Sequence, residues 1–383
     1  MLIVPQQIPT MCTPRVLKMT PGPVLTIRSV RTTVVHVPMK RALGTSARRM
    51  DIAPLVLIDL DTDEGITGRA YVFCYLPGAT AGVESIVREA AAHVAGDRIN
   101  PADLNAKLAR HFRLLGVHGI VTMALAGFDA ACWDAMAVAK GVPLVELLGG
   151  SVRPIRAYNS NGLSLMDTGA LADEAEELLA ESGFTAIKLR LGYATLAEDI
   201  AALHAVRTRV PSGTTVMTDY NQALSVDEAL ERGRALDGEG LAWIEEPIRH
   251  DDYSASATLT SQLATPIQIG ENFDTPNAMR EALTAKACDY AMPDLARIGG
   301  VSGWLEAAAL AQRARMPMSS HLYPEFSAHL LAVTPTCDWL EYVDWASPIL
   351  KDPIEIRDGH AIIPNRPGAG IEWNDAAVAR YRV

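Results

Sequence analysis

The stretch that decides the fold runs from residue 214 to residue 272. Within it TTVMTDYN (214–221), LAWIEEP (241–247) and PIQIGEN (266–272) each end an apolar run in an acid, Asp219, Glu245 and Glu271, spaced 26 residues apart. That interval fits one strand plus one helix. The runs therefore read as successive βα units of a barrel, whose buried strands are continuously apolar rather than alternating. Barrel active sites form at the C-terminal ends of the strands. Three carboxylates gathered there would repel one another unless a cation neutralised them. An oxygen-only donor set selects a hard ion, Mg²⁺ first.

The same beat continues on both sides. Upstream, FTAIKLRLG (184–192) puts Lys188 and Arg190 two residues apart on one strand, hence on one face. Before it, RPIRAYNSNG (153–162) reads as a first strand bearing Tyr158 and Ser160. Downstream, CDYAMPD ends in Asp294, PMSSHLY carries His321 and WLEYVD carries Glu341. Helical patterns over 195–209, 226–238, 276–286, 301–315 and 325–333 separate these runs. Eight candidate strands from about 155 to 345 predict a compact TIM-type α/β barrel, taken here as residues 151–345.

The first 150 residues are patterned differently. TIRSVRTTVVHVP (26–38) and APLVLIDLDTDEGITGRAYVF (53–73) alternate around the turn DTDEG, which predicts an antiparallel sheet. Helical spacing follows over 78–95, 102–113 and 117–140. Residues 25–150 thus form a separate α+β unit. The tail, 346–383, is punctuated by Pro and Gly and is expected to return to it. The polar, basic segment MKRALGTSARRMDI (39–52) suits a flexible lid. Residues 1–24 hold five prolines and no signal-type apolar core, and predict a disordered extension, with Met19 an alternative start.

Composition excludes several partners. A net charge of −11 with no basic stripe argues against nucleic acid. No uninterrupted apolar run of membrane-spanning length is evident, so no membrane partner is expected. Cys12, Cys74, Cys132, Cys288 and Cys337 are scattered without metal or redox spacing, as in a cytoplasmic protein with reduced thiols.

TDYNQ, WIEEP, GEN, MPDLARIGGVSGW, PMSSHL and SAHLLA together make residues 25–383 resemble the enolase superfamily, specifically the mandelate racemase group. The resemblance implies an N-terminal α+β capping domain, a modified (β/α)7β barrel, one Mg²⁺ per subunit (replaceable by Mn²⁺) and a homo-oligomer, often an octamer. It implies removal of a proton α to a carboxylate through a metal-stabilised enediolate. On that reading Asp219, Glu245 and Glu271 are the metal ligands, with Asn221 and Glu246 supporting them. Lys188 contacts the substrate carboxylate, and Ser160 bonds a substrate oxygen. Glu341 is kept neutral by burial among acids and donates to the other carboxylate oxygen. His321 is the general base, oriented by Asp294, and His329 is structural.

Arg190 departs from the family's Lys-x-Lys, whose second lysine is the base opposite the histidine. Arginine, with an ordinary pKa of ~12.5, is a poor base at neutral pH. By correspondence Leu43, Ala47, Met50, Phe73, Tyr75, Leu322 and Val343 line an apolar distal pocket, and Arg48 and Arg49 stand on the lid. The pocket favours a racemase of an aryl or alkyl 2-hydroxy acid, with Arg190 as an unusual second base. Arg190 itself favours the alternative, a one-base dehydratase of acid-sugar type using His321. A non-catalytic binding protein is the third reading. In each the partner is a small carboxylate.

Overall fold

The computed structural model describes residues 24–383, so nearly all of the expected extension lies outside them. Strands β1 (Ile27–Gly44), β2 (Arg49–Thr62) and β3 (Thr67–Phe73) form an antiparallel sheet in that order. Helices α1 (Thr80–Val94), α2 (Pro101–His111) and α3 (Ile120–Lys140) follow, and α3 packs on β3. By length and mean composition helix α3 could cross a membrane, although Asp129 and Asp134 interrupt its apolar run. Yet 83% of its most apolar window is buried, so it is the core helix of this unit. The 39–52 segment continues the β1–β2 hairpin, with Leu43 opposite Met50 and Gly44 opposite Arg49. It reaches the barrel through Gly44 N–H on Ser164 Oγ (2.6 Å) and Ser46 Oγ on the Tyr220 carbonyl (3.0 Å), so it is a docked hairpin rather than a free loop.

A short helix α4 (Leu144–Leu147) leads into the barrel: β4 (Pro154–Asn159), α5 (Thr168–Ala180), β5 (Ala186–Arg190), α6 (Leu196–Arg209), β6 (Thr215–Asp219) and α7 (Val226–Leu236). It continues with β7 (Ile244–Glu245), α8 (Tyr253–Gln262), β8 (Ile267–Ile269), α9 (Thr275–Ala285), β9 (Tyr290–Ala291), α10 (Gly300–Ala314), α11 (Pro324–Ala332) and β10 (Leu340–Tyr342). Capping boxes, Thr195 with Glu198 and Ser225 with Glu228, start α6 and α7 by satisfying their first free N–H groups.

The strand expected at PMSSHLY exists only as separate bridges, Ala291 with Met318, Asp294 with His321 and Met318 with Cys337. Pro293, facing it, has no N–H to continue a ladder. With those residues as the seventh staple, β10 pairs in parallel with β4 and closes the ring. No barrel helix follows β10, so the architecture is a (β/α)7β barrel capped by an α+β domain.

The tail divides its contacts. Strands β11 (Glu355–Arg357) and β12 (His360–Ile362) form a hairpin that pairs antiparallel with β4. Beyond it, Trp373 Nε1 donates to Asp59 Oδ1 (3.0 Å), and helix α12 (Asp375–Tyr381) contacts β1.

Candidate active site

Strand register gathers the acids. Arg190 lies opposite Asp219 and Asp219 opposite Glu245, so successive strand ends align at one rim. Glu271 joins them after Gly270, whose φ of +140° and close backbone neighbour (a Cβ would meet Met292 N at 2.7 Å) admit only glycine. One oxygen from each of Asp219, Glu245 and Glu271 lies within 4.8 Å of the others. Burial, with Asp219, Glu341 and Glu271 nearby, pushes the Glu245 carboxyl above the usual range although Lys188 opposes this. A largely buried, all-oxygen cluster that resists its own charge is what a divalent cation relieves. The donor set fits Mg²⁺. Beside it, Asn221 donates to Asp219 Oδ2 (3.0 Å), and Asn272 donates to Glu246 (2.7 Å) and to Glu271 (3.2 Å).

Lys188 is fully buried among acids, with Nζ 2.6 Å from Glu245, 2.8 Å from Glu341 and 3.4 Å from Asp219. Burial alone would lower its pKa, but those charges hold it well above the ordinary value. The Tyr158 ring stands 5.8 Å from the ammonium.

Glu341 corrects an expectation. Burial does disfavour its charge, yet Lys188, His321 and the Leu322 N–H hold its carboxyl down at about 2. Its oxygens accept from Ser160 Oγ (2.7 Å), Lys188 Nζ and Leu322 N–H (2.9 Å), so it is an anion surrounded by donors rather than a neutral acid. The expectation counted the acids nearby and not the donors facing them.

His321 Nδ1 lies 2.7 Å from Asp294 Oδ2, while Asp294 Oδ1 accepts the N–H groups of Ala296 and Arg297. Those amides fix the carboxylate, and the carboxylate fixes the ring with Nε2 turned inward, 3.3 Å from Glu271 and 3.8 Å from Glu341. Burial lowers the imidazole pKa, but Glu271, Glu341 and Asp294 outweigh it and push it up to about 9. His329 sits apart on α11, where its Nδ1 accepts the Val145 N–H at 3.1 Å.

Arg190 does not face the triad as a free base would. Its Nη1 donates to the carbonyls of Ser160 (2.8 Å) and Gly162 (3.0 Å), and its Nη2 to Ser160 Oγ (3.0 Å).

The apolar residues divide. Phe73, Leu322 and Val343 line one cavity with Leu55, Tyr71, Tyr323 and Trp345, closed down to about 10 Å³. Leu43 and Met50 face each other in the docked hairpin, and Ala47, Arg48 and Arg49 are exposed at its tip. Tyr75 packs against Phe73 with the rings tilted by 50° and lies under the Arg297 guanidinium, 4.7 Å from the ring centre. Sequence reasoning passed over Arg297 and Asn272, which hydrogen-bond each other at 2.6 Å. The available signal was position alone, one residue after Glu271 and three after Asp294.

Residues 26–149 match the N-terminal domain of mandelate racemase and muconate lactonizing enzyme, and residues 170–377 match the enolase C-terminal domain-like family. The chain is 30% identical to L-talarate/galactarate dehydratase of Salmonella typhimurium, over 84% of this chain and 81% of that protein. It is 33% identical to arabinonate dehydratase of Saccharolobus solfataricus, over 70% and 74%. A Bradyrhizobium enolase crystallised with magnesium and mandelic acid superposes with a TM-score of 0.90 at 41% identity, covering 94% of this chain and 99% of that one. Kinship to mandelate racemase in particular is narrower than these likenesses support, since the relatives of named activity include both acid-sugar dehydratases and cycloisomerases. The matches at both ends of the chain, with the barrel and its acidic rim, place this protein in the enolase superfamily, in the mandelate racemase/muconate lactonizing enzyme group.

Proposed function

We propose that the protein is a one-base, Mg²⁺-dependent dehydratase of a 2,3-dihydroxy carboxylate. The observation that carries this reading is the hydrogen bonding of Arg190, whose guanidinium is committed as a donor to two carbonyls and a hydroxyl. A group so engaged has no lone pair for a substrate proton. The His321–Asp294 pair is then the acid–base device of the site, and it serves one face. Similarity to the talarate/galactarate and arabinonate dehydratases supports the same class.

Asp219, Glu245 and Glu271 would hold Mg²⁺, which supplies Lewis-acid stabilisation of the carboxylate whose α-carbon is losing its proton. Lys188, buried against three acids, contributes a fixed positive charge where negative charge builds. His321 Nε2 takes the α-proton; Nδ1–H on Asp294 fixes the tautomer and stabilises the imidazolium. The same nitrogen returns the proton to the departing β-hydroxyl. The Cα–H and Cβ–O bonds break, water leaves, and the enol tautomerises to a 2-keto-3-deoxy acid.

A second reading, a 2-hydroxy acid racemase, keeps support from the apolar wall of Phe73, Leu322 and Val343 and from the mandelic acid bound by the Bradyrhizobium protein. Supplying 2,3-dihydroxy acids and Mg²⁺ separates the two. Dehydration gives keto acid, lost in His321→Asn, whereas inversion at C2 without keto acid would overturn the dehydratase in favour of the racemase.

A homo-oligomer belongs to the same reading. Leu114, Leu115 and Ile120 are exposed around the α2–α3 turn, with Leu76 exposed elsewhere on the capping domain. A reducing, cytoplasmic setting is supported by the free cysteines Cys74, Cys132, Cys288 and Cys337.

A further inference from the structure

Arg190 is buried, with 3% of its surface exposed, yet it bonds uncharged oxygens while neighbouring Lys188 bonds carboxylates. Its backbone N–H donates to the Leu163 carbonyl (3.0 Å), and its Nη1 to the Ser160 and Gly162 carbonyls. The turn after β4 is therefore wrapped around this one residue. The remaining contact, Nη2 to Ser160 Oγ, has a directional consequence. A guanidinium has no acceptor, so Ser160 Oγ accepts there, and its single hydrogen is left for Glu341 Oε1 at 2.7 Å. Glu341 Oε1 also meets Lys188 Nζ at 2.8 Å.

We infer that Arg190 is a positioning residue: it fixes the direction of the Ser160 hydroxyl and, through it, the Glu341 carboxylate beside Lys188. Ser160 thus gives its hydrogen to Glu341 and not to a substrate oxygen. The relay Arg190–Ser160–Glu341 is a rigid wall of the carboxylate-binding side, and a lysine could not build it in the same way. Its single nitrogen would have to reach two carbonyls and a hydroxyl that the guanidinium meets with two separate nitrogens. This inference rests on the reading of His321 as the base insofar as it concerns rate; its geometric part does not.

The test uses crystals of the full-length Arg190→Gln protein loaded with Mg²⁺, together with α-proton exchange of each mandelate enantiomer in D₂O. In the variant Ser160 Oγ should leave Glu341, opening the 2.7 Å contact. An unchanged Ser160–Glu341 contact would overturn the inference whether or not mandelate reacts. In exchange, Arg190→Gln and Ser160→Ala should each slow the His321 face by roughly ten- to a hundredfold. The double variant should be no slower than the worse single, because both remove one relay. Additive losses would mean that Arg190 does not act through Ser160. Selective loss of exchange on the face opposite His321 would make Arg190 a base. Arg190→Lys, which keeps the charge, covers poor folding of the glutamine variant. It should partly rescue the His321 face and create no exchange on the other; strong exchange on the other face would contradict the inference. Failure of wild type to exchange mandelate at all would count against the racemase reading and not against the dehydratase, and the crystal result would then decide the relay.

Discussion

Glu245 is the residue on which the charge balance of the site turns, since it touches Lys188 and belongs to the acidic triad. Glu245→Gln keeps the shape, removes one of the three carboxylates proposed to hold Mg²⁺ and leaves Lys188 to Glu341 and Asp219. Titration calorimetry should show Mg²⁺ affinity falling by at least about tenfold, with circular dichroism unchanged. Retention of full affinity would remove Glu245 from the metal set. His321 gives a second measurement. Without metal, Glu271, Glu341 and Asp294 outweigh burial and push its imidazole up to about 9. On the proposed reading Mg²⁺ would engage Glu271, so the NMR-detected pKa should fall when it is added; a value indifferent to Mg²⁺ would separate Glu271 from the metal. Identities at this scale were legible because strand-end spacing singles out Asp219, Glu245, Glu271, Asp294 and His321. Protonation was not: whether Glu341 is acid or anion depends on which donors surround it, and those come from β4, β5 and the residues after His321.

At the scale of elements, α11 illustrates how a helix can carry a pH dependence unrelated to catalysis. His329 on it is fully buried, and burial lowers its pKa to about 4. A base depressed in the folded state stabilises the fold above its unfolded pKa and ceases to do so as pH falls through the folded value. Between pH ~6.5 and ~4 the protein should lose roughly 3 kcal/mol from this group. Denaturant melts of wild type and His329→Gln at both ends of that window check it; equal slopes against pH would contradict it. Most helices were predictable to within a few residues, because apolar spacing and caps such as Thr195–Glu198 are local. Helix α8, YSASATLTSQ, was not expected, since its Ser and Thr residues have weak helical preference and Asp252 alone caps it. The seventh strand was expected as a ladder, but Pro293 on its neighbour limits it to bridges.

At the scale of the whole molecule, the capping domain and the barrel form one site. The β1–β2 hairpin reaches Ser164 and Tyr220, Tyr71 donates to Glu325 at 2.6 Å, and Tyr323 accepts the Phe73 N–H at 3.0 Å. The barrel and its acidic rim were readable from a repeat; the way the lid docks was not, because those contacts join residues more than 100 positions apart. The central claim is that α-proton chemistry comes from the His321 side alone. It is tested most directly by incubating the Mg²⁺-loaded protein in D₂O with paired C2 epimers of 2-hydroxy and 2,3-dihydroxy acids and following deuterium at C2 by NMR. The account predicts deuterium in one epimer of each accepted pair and none in His321→Asn. Comparable exchange of both epimers, or exchange that survives His321→Asn, would contradict it.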